Sequence, residues 1–178
     1  MYKRQGYYNT VKDKIVALPT MYVWKMMNMG EVDIKGVDVN LSTQFRLPLR
    51  MSLLLASTYS FQYAVDVTDP EAKNYKDQIP YTPRHSGTVS VTVENPWVNV
   101  SYILTAVGDR YALPQNIDRN RIDSYIEQSI SINRDFRFRY FGLRLQGELL
   151  NLANVNYDVI QYYPMPGRSW RLSICLSY

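Results

Sequence analysis

The 178-residue chain carries 20 Lys and Arg against 16 Asp and Glu, a scattered net charge of +4, and 16 Tyr beside 5 Phe and 3 Trp. No Lys/Arg block and no nucleic-acid-binding motif is present, which argues against a nucleic-acid partner. The single Cys175 excludes an internal disulfide framework and a cysteine-rich zinc site, and no run of 18 apolar residues exists to form a transmembrane helix.

Alternation between apolar and polar residues dominates from end to end, with no internal repeat and no low-complexity tract. Residues 1–6 lack the apolar stretch of a signal peptide, so an export signal, if the protein is exported, is expected upstream. A first strand is predicted over residues 7–18, ended by Pro19. A connection of about ten residues (19–29) follows, through Met21, Trp24 and Met29. The second strand (30–46) holds Val32 and Ile34 in one phase and Val37, Val39, Leu41 and Phe45 in the other; the slip at Gly36 reads as a bulge. After the Leu47-Pro48 turn, a long strand (49–67) sets Met51, Leu53, Leu55, Tyr59, Phe61, Tyr63 and Val65 against a mostly polar face, with aromatics gathered at the far end. A polar connection (68–83) carries Pro70, Pro80 and Pro83.

The fourth strand (84–94) alternates valines with Ser and Thr, and Asn95-Pro96 makes a tight turn. The fifth (97–111) has Ile103 and Val107 out of phase, the sixth (122–133) has Gln128 out of place among Ile126, Ile130 and Ile132, and a polar stretch (112–121) separates them. A turn at Arg134-Asp135 leads to the seventh (137–151), and after residues 152–167 an eighth strand closes the chain with Trp170, Leu172, Ile174, Leu176 and Tyr178 at every second position.

Connections that alternate long and short, an apolar face on every strand and clustered aromatics are the marks of an outer-membrane β-barrel, whose apolar face meets lipid. The fold class is therefore all-β: an antiparallel up-and-down transmembrane barrel segment of about eight strands. Two other readings stay open. Eight strands could close into a self-contained small barrel with a structural or adhesive role. A soluble lipocalin-like binding barrel would reverse the faces, with apolar residues inside.

Asn151-Leu152-Ala153-Asn154, then Tyr157, then Pro166-Gly167-Arg168 and a strand ending in Tyr178, resemble the end of TonB-dependent outer-membrane receptors. The family pattern has Phe where Ala153 stands. Asp13-Lys14-Ile15-Val16, Asn28-x-Gly30, Lys35-Gly36-Val37-Asp38 and Pro83-Arg84-His85 resemble its mid-barrel strands, with Asp38 where Glu is usual. The stretch 24–39 is most similar to receptors of Bacteroides-type bacteria. The resemblance implies a barrel of 22 strands filled by a plug, of which residues 1–178 would be a C-terminal part without the plug and the N-terminal strands. It also implies location in the bacterial outer membrane and uptake of a scarce small-molecule or metal-chelate ligand such as an iron chelate, haem or cobalamin. The implied partners are outer-membrane lipid and, through the plug, the TonB system; no cofactor is implied.

Ligand contacts are then expected from residues 19–29, 68–83, 112–121 and 152–167, with Tyr75, Tyr81, Tyr162 and Tyr163 as candidates. His85 could ligate haem, but its place at a strand start favours a structural role. Glu31, Asp33 and Asp38 could hold a cation, and Arg144 with Glu148 could pair across the lumenal wall or contact a plug; solvated lumenal charges are the simpler reading. No Ser-His-Asp set and no metal-spaced His/Cys cluster points to an enzyme.

Overall fold

The alternation becomes one antiparallel sheet. The computed structural model describes residues 1–19 and 23–178. In chain order the strands are β1 (Tyr2–Pro19), β2 (Trp24–Leu47), β3 (Met51–Asp66), β4 (His85–Glu94), β5 (Asn99–Val107), β6 (Arg110–Tyr111), β7 (Arg121–Ile122), β8 (Tyr125–Arg137), β9 (Gly142–Leu150), β10 (Asp158–Ile160), β11 (Tyr163–Pro164) and β12 (Ser169–Ser177). Eight of them form the sheet in the order β1-β2-β3-β4-β5-β8-β9-β12, while β6–β7 and β10–β11 are small ladders within loops. Among the described residues no ladder joins β1 to β12, so the sheet is open and does not close into a small barrel.

Cross-strand partners share a face, so the register shows which residues lie together. Trp170, Leu172, Ile174 and Leu176 on β12 face Leu149, Gly147, Leu145 and Leu143 on β9. Leu149, Gly147 and Leu143 lie beside Ile130, Ile132 and Phe136, and Ile130 and Ile132 beside Tyr102 and Val100. The row passes through Val91 and Val93 to Leu55 and Leu53, and Leu53 meets Phe45. The apolar residues thus form a continuous band across the sheet. They are not buried in it: Ile174 is 64% exposed and Leu172 66%. So large an exposed apolar surface is unfavourable in water by roughly 25 cal/mol per Å² and marks contact with an apolar medium. A soluble barrel would have hidden these residues.

Gln128, out of place in this band, accepts a hydrogen bond at 3.0 Å from the Tyr102 hydroxyl on the same face. Two polar groups thereby satisfy one another on the apolar face. The opposite face is polar and cross-linked. Thr92 bonds Ser101 at 2.9 Å, Asn99 donates to Asn133 at 3.2 Å, and Ser60 donates to Asp38 at 2.5 Å. Arg144 does not pair with Glu148: it forks onto Asp135 at 2.6 and 3.0 Å, and Glu148 takes Arg171.

Three connections at one end are tight. At residues 48–50, Leu49 and Arg50 both have positive φ (61° and 59°) and Met51 N–H donates to the Pro48 carbonyl at 3.3 Å, the geometry hairpin twist favours. Asn95 Oδ1 accepts from Trp97 and Val98 N–H, both at 2.9 Å. At 138–141 the Phe138 and Phe141 rings stack with centroids 4.6 Å apart. The opposite end carries the three long loops, 67–84, 108–124 and 151–168.

Two expectations are corrected here. Residues 19–29 are not a ten-residue loop. Pro19 pairs with Trp24 and Lys14 with Met29, so 24–29 are paired strand, and Met21 lies outside the described residues. Because β3 reaches only as far as Val32, opposite Asp66, residues 12–19 and 24–31 run on as a two-stranded arm. Backbone pairing with β1 carries β2 down to Trp24, whereas the expected strand began at residue 30.

Nor is there a bulge at Gly36, which faces Tyr7 on one side and Gln62 on the other in unbroken register. A Cβ there would stand 2.5 Å from both the Tyr7 hydroxyl and the Phe61 carbonyl oxygen, so the glycine makes room for a ring lying across it. The slip in phase has another cause. Below this level the apolar side chains face the exposed band. Above it Val32 packs with Met29, Ala64 and Ile79 in a small core, with Ile34 and Val16 against it.

Candidate functional site

The long loops and the arm form a rim, and the rim is where side chains are buried. The loop 151–168 is built by the motif the sequence singled out. Asn151 is 3% exposed and has φ 50°, a left-handed conformation asparagine tolerates. Its amide donates to the carbonyls of Val155 (2.9 Å) and Pro166 (3.3 Å) and its Oδ1 accepts from Val155 N–H (2.9 Å). Its own N–H donates to Glu127 at 3.0 Å, while Leu152 N–H donates to the Gln128 carbonyl at 2.8 Å.

Asn154, also at positive φ (52°), accepts from Arg168 N–H at 2.8 Å. The Arg168 guanidinium returns to the Leu152 carbonyl at 2.6 and 3.1 Å. A Cβ at Gly167 would lie 2.7 Å from Asn154 Oδ1, so no side chain fits beside that bond. Tyr157 stacks on Tyr125 with centroids 4.1 Å apart. These residues close the loop from β9 to β12; Tyr178 lies fully exposed at the opposite end.

The loop 67–84 folds around Asp66, whose carboxylate accepts from Thr68 N–H (2.9 Å), the Thr68 hydroxyl (2.5 Å) and the Asn74 amide (2.7 Å). Thr68 also bonds Glu31 of the arm, joining loop to hairpin. Tyr75 lines a cavity of about 200 Å³ here, together with Asp66, Asn74 and Met27.

A larger cavity, about 420 Å³, opens between the arm and the loops and is lined by Val16, Trp24, Tyr81, Val107, Arg110 and Tyr125 among others. Its walls are mainly apolar and aromatic, and Arg110 is its charged group. Arg110 is 4% exposed. Its Nη2 donates to the backbone carbonyls of Asp158 and, at 3.0 Å, Val159, tying the second loop to the third. Its guanidinium carbon lies 5.5 Å from the Tyr125 ring centroid. Its Nη1 is buried without a hydrogen-bond partner, and the described residues give it no ion pair within 4.0 Å. Burial pulls the guanidinium below its ordinary pKa, opposed by Tyr125, Tyr81 and Asp158; arginine still keeps its charge.

Tyr81 has φ 57°, strained for a bulky residue, and is held there by its N–H on the Tyr111 carbonyl at 2.8 Å. Burial raises its phenol pKa, against the lowering effects of the Gln161 backbone and the Arg110 charge.

The four candidate tyrosines are thus not one site. Tyr81 lines the large cavity and Tyr75 the small one, while Tyr162 and Tyr163 (72% and 54% exposed) sit at the β10–β11 hairpin. Arg110 and Tyr125 were not singled out from the sequence, and Trp24 was named only as part of the connection 19–29. Val107 left a trace as well, as an apolar residue breaking the alternation of β5.

His85 lies on the exposed apolar face, its Nδ1 2.8 Å from the Tyr59 hydroxyl and its ring 5.1 Å from that of Phe61. Asp33 accepts from Thr10 at 2.8 Å and Asp38 from Ser60. No group of three or more metal-ligating side chains occurs among the described residues.

Comparison with known proteins decides what the sheet belongs to. Residues 5–152 match the family described as TonB dependent receptor-like, beta-barrel. The chain belongs to this family. No curated protein matches it in sequence.

The solved receptors that share its fold are distant in sequence. BauA, the ferric preacinetobactin receptor of Acinetobacter baumannii, superposes with a TM-score of 0.74 at 12% identity over 97% of this chain and 26% of that one. Fiu, the ferric-catecholate import receptor of E. coli K12, gives 0.68 at 14% identity, covering 97% and 24%. The copper transporter OprC gives 0.70 at 14%, covering 97% and 28%. The chain therefore spans about a quarter of the length of these receptors. As a TonB-dependent receptor barrel segment it resides in the outer membrane, with the apolar band in lipid.

Proposed function

We propose that this chain is the C-terminal wall of an outer-membrane importer. The remaining strands and a plug would complete the barrel, and the cargo is a scarce ligand such as an iron chelate, haem or cobalamin. The observation that carries this reading is the open sheet with an exposed apolar band: two unpaired edges in lipid would each leave costly unsatisfied backbone groups unless further strands continue the wall. The barrel segment is then a passive boundary. Force from TonB acts on the plug, and the polar face lines the path that opens.

Ligand capture belongs to the rim. Tyr81 contacts cargo in the large cavity, Tyr75 borders the route, and Tyr162 and Tyr163 meet ligand first at the exposed hairpin. Asn151, Leu152, Asn154, Tyr157, Pro166, Gly167 and Arg168 hold the third loop in place, and Tyr178 anchors the opposite boundary.

The test is uptake by cells lacking other receptors of this family and expressing the full-length gene, supplied in turn with labelled iron chelates, haem and cobalamin. Accumulation of one ligand that stops when TonB is deleted is the expected result. Accumulation unchanged without TonB, or none for any ligand class, would overturn the reading.

A further inference from the structure

We infer that the lipid-facing side of the sheet carries a site for the phosphate of an outer-leaflet lipid, built by Lys35 and Arg84 at the loop end of the apolar band. The inference rests on the placement of that band in lipid and is independent of the cargo. Lys35 stands between Tyr8 and Tyr63, in the next outward row after Val37 and Phe61. Its Nζ lies 4.9 Å from the Tyr63 ring centroid, and the Arg84 guanidinium carbon lies 5.2 Å from the same centroid. Both cationic residues are exposed.

Among the described residues neither cation has an ion pair within 4.0 Å. Asp33, the next outward residue of β2, accepts from Thr10 instead, at 2.8 Å. Two like charges drawn to one ring without a counter-charge of the protein's own favour an anion beside them. Tyrosine rings gather at the headgroup level of a membrane, and Tyr8, Tyr59 and Tyr63 put this row there. An anion at that level is a lipid headgroup. An ammonium point charge next to a guanidinium fork suits a phosphate, whose several oxygens can accept from both.

Next to the cations the apolar face is hollowed. Gly87 stands between Tyr59 and Ala106, and Ala106 between Gly87 and Ile126, so two short residues separate a ring from a branched chain. They floor a groove of about 580 Å³ that His85 also lines. The His85 ring is 5.1 Å from that of Phe61, one row below Lys35 and Tyr63, which makes groove and cations contiguous. A lipid with its phosphate at Lys35 and Arg84 has room for an acyl chain here. All these residues lie inside the sheet, so strands added at either edge do not cover them.

The experiment titrates the full-length receptor, stripped of lipid in detergent, with radiolabelled dipalmitoyl phosphatidic acid and with the matching diacylglycerol. The phosphatidic acid is expected to bind about tenfold tighter, the order that two interfacial cations supply. That preference should vanish when Lys35→Gln and Arg84→Gln are combined, and should persist in Arg50→Gln at the short-turn end. Ala106→Trp, which fills the groove, should weaken binding of both lipids. In the unaltered receptor the preference should shrink as salt is raised, and inorganic phosphate at the lipid's own concentration should not displace it. Equal binding of the two lipids, a preference that survives the double variant, a loss that Arg50→Gln reproduces, or displacement by inorganic phosphate would overturn the inference. A preference for phosphatidic acid in a receptor that takes up none of the labelled cargoes would support this site and sink the importer reading alone.

Discussion

The wall and the rim of this protein are stabilised by opposite means. Every buried side chain among the described residues, from Met29 and Val32 to Arg110, Ile122 and Asn151, sits at the loop end. Along the wall the large apolar residues are exposed or half-buried and the polar face is laced by hydrogen bonds between neighbouring strands. The wall has no core of its own; lipid takes that part. The rim behaves as a small soluble protein would, with apolar side chains inside and buried polar groups almost fully paired. The switch occurs within single strands: β2 turns Val37, Val39 and Leu41 to the lipid face and, a few residues above, Val32 into the rim core.

The difference can be broken most severely from the lipid side. Ile174→Arg puts a cation in the middle of the band on β12, at a cost of about 2–4 kcal/mol. Ser173→Arg, one residue away on the polar face, should cost little. Urea titration of the full receptor folded into lipid vesicles measures both; equal effects would mean that the apolar face does not meet lipid.

A smaller loss, confined to the rim, is expected for Asn151→Ala. It removes three side-chain hydrogen bonds from a buried position at positive φ, worth about 1–3 kcal/mol. The loop 151–168 should become sensitive to protease while the urea midpoint of the barrel barely moves.

The rim should also answer to alkaline pH. Burial holds the Tyr81 and Tyr157 phenols above their ordinary 10.0. The folded rim thus favours the neutral phenol. That stabilisation is complete below pH 10.0 and is lost as pH climbs through the raised values. Proteolysis of the loops should accelerate above pH 10.0, and Tyr81→Phe should lessen the acceleration.

The smallest effect is expected for Asp135→Asn. Its partner Arg144 sits on the solvated polar face, and exposed pairs contribute little. The melting midpoint should stay where it is.

Much of the wall was legible in the sequence because lipid imposes a strict period of two, and Trp170, Leu172, Ile174 and Leu176 keep it without exception. The motif around Asn151 was legible as a pattern, though not as the clasp it forms. What escaped was decided by partners far along the chain. Arg110 meets Asp158 and Val159 almost fifty residues on, and nothing near Arg110 in sequence signals that meeting. Gly36 misled because the reason for a glycine there is a ring from β1 and a carbonyl from β3. Residues 24–29 misled because Trp24, Met26, Met27 and Met29 fall in both phases, so no alternation marks the strand that pairing with β1 makes.

The order of strands has a consequence for assembly. Each ladder of the main sheet joins consecutive strands of that sheet, with only the small loop ladders β6–β7 and β10–β11 falling between partners. Loop closure is therefore local at every step, and topology of this kind favours fast zippering over a search for distant partners. The sheet can grow one hairpin at a time from either end. Its intermediates differ from the finished wall chiefly in how many strands have been added, and a nick in a long loop should leave two pieces that still recognise each other along one intact seam.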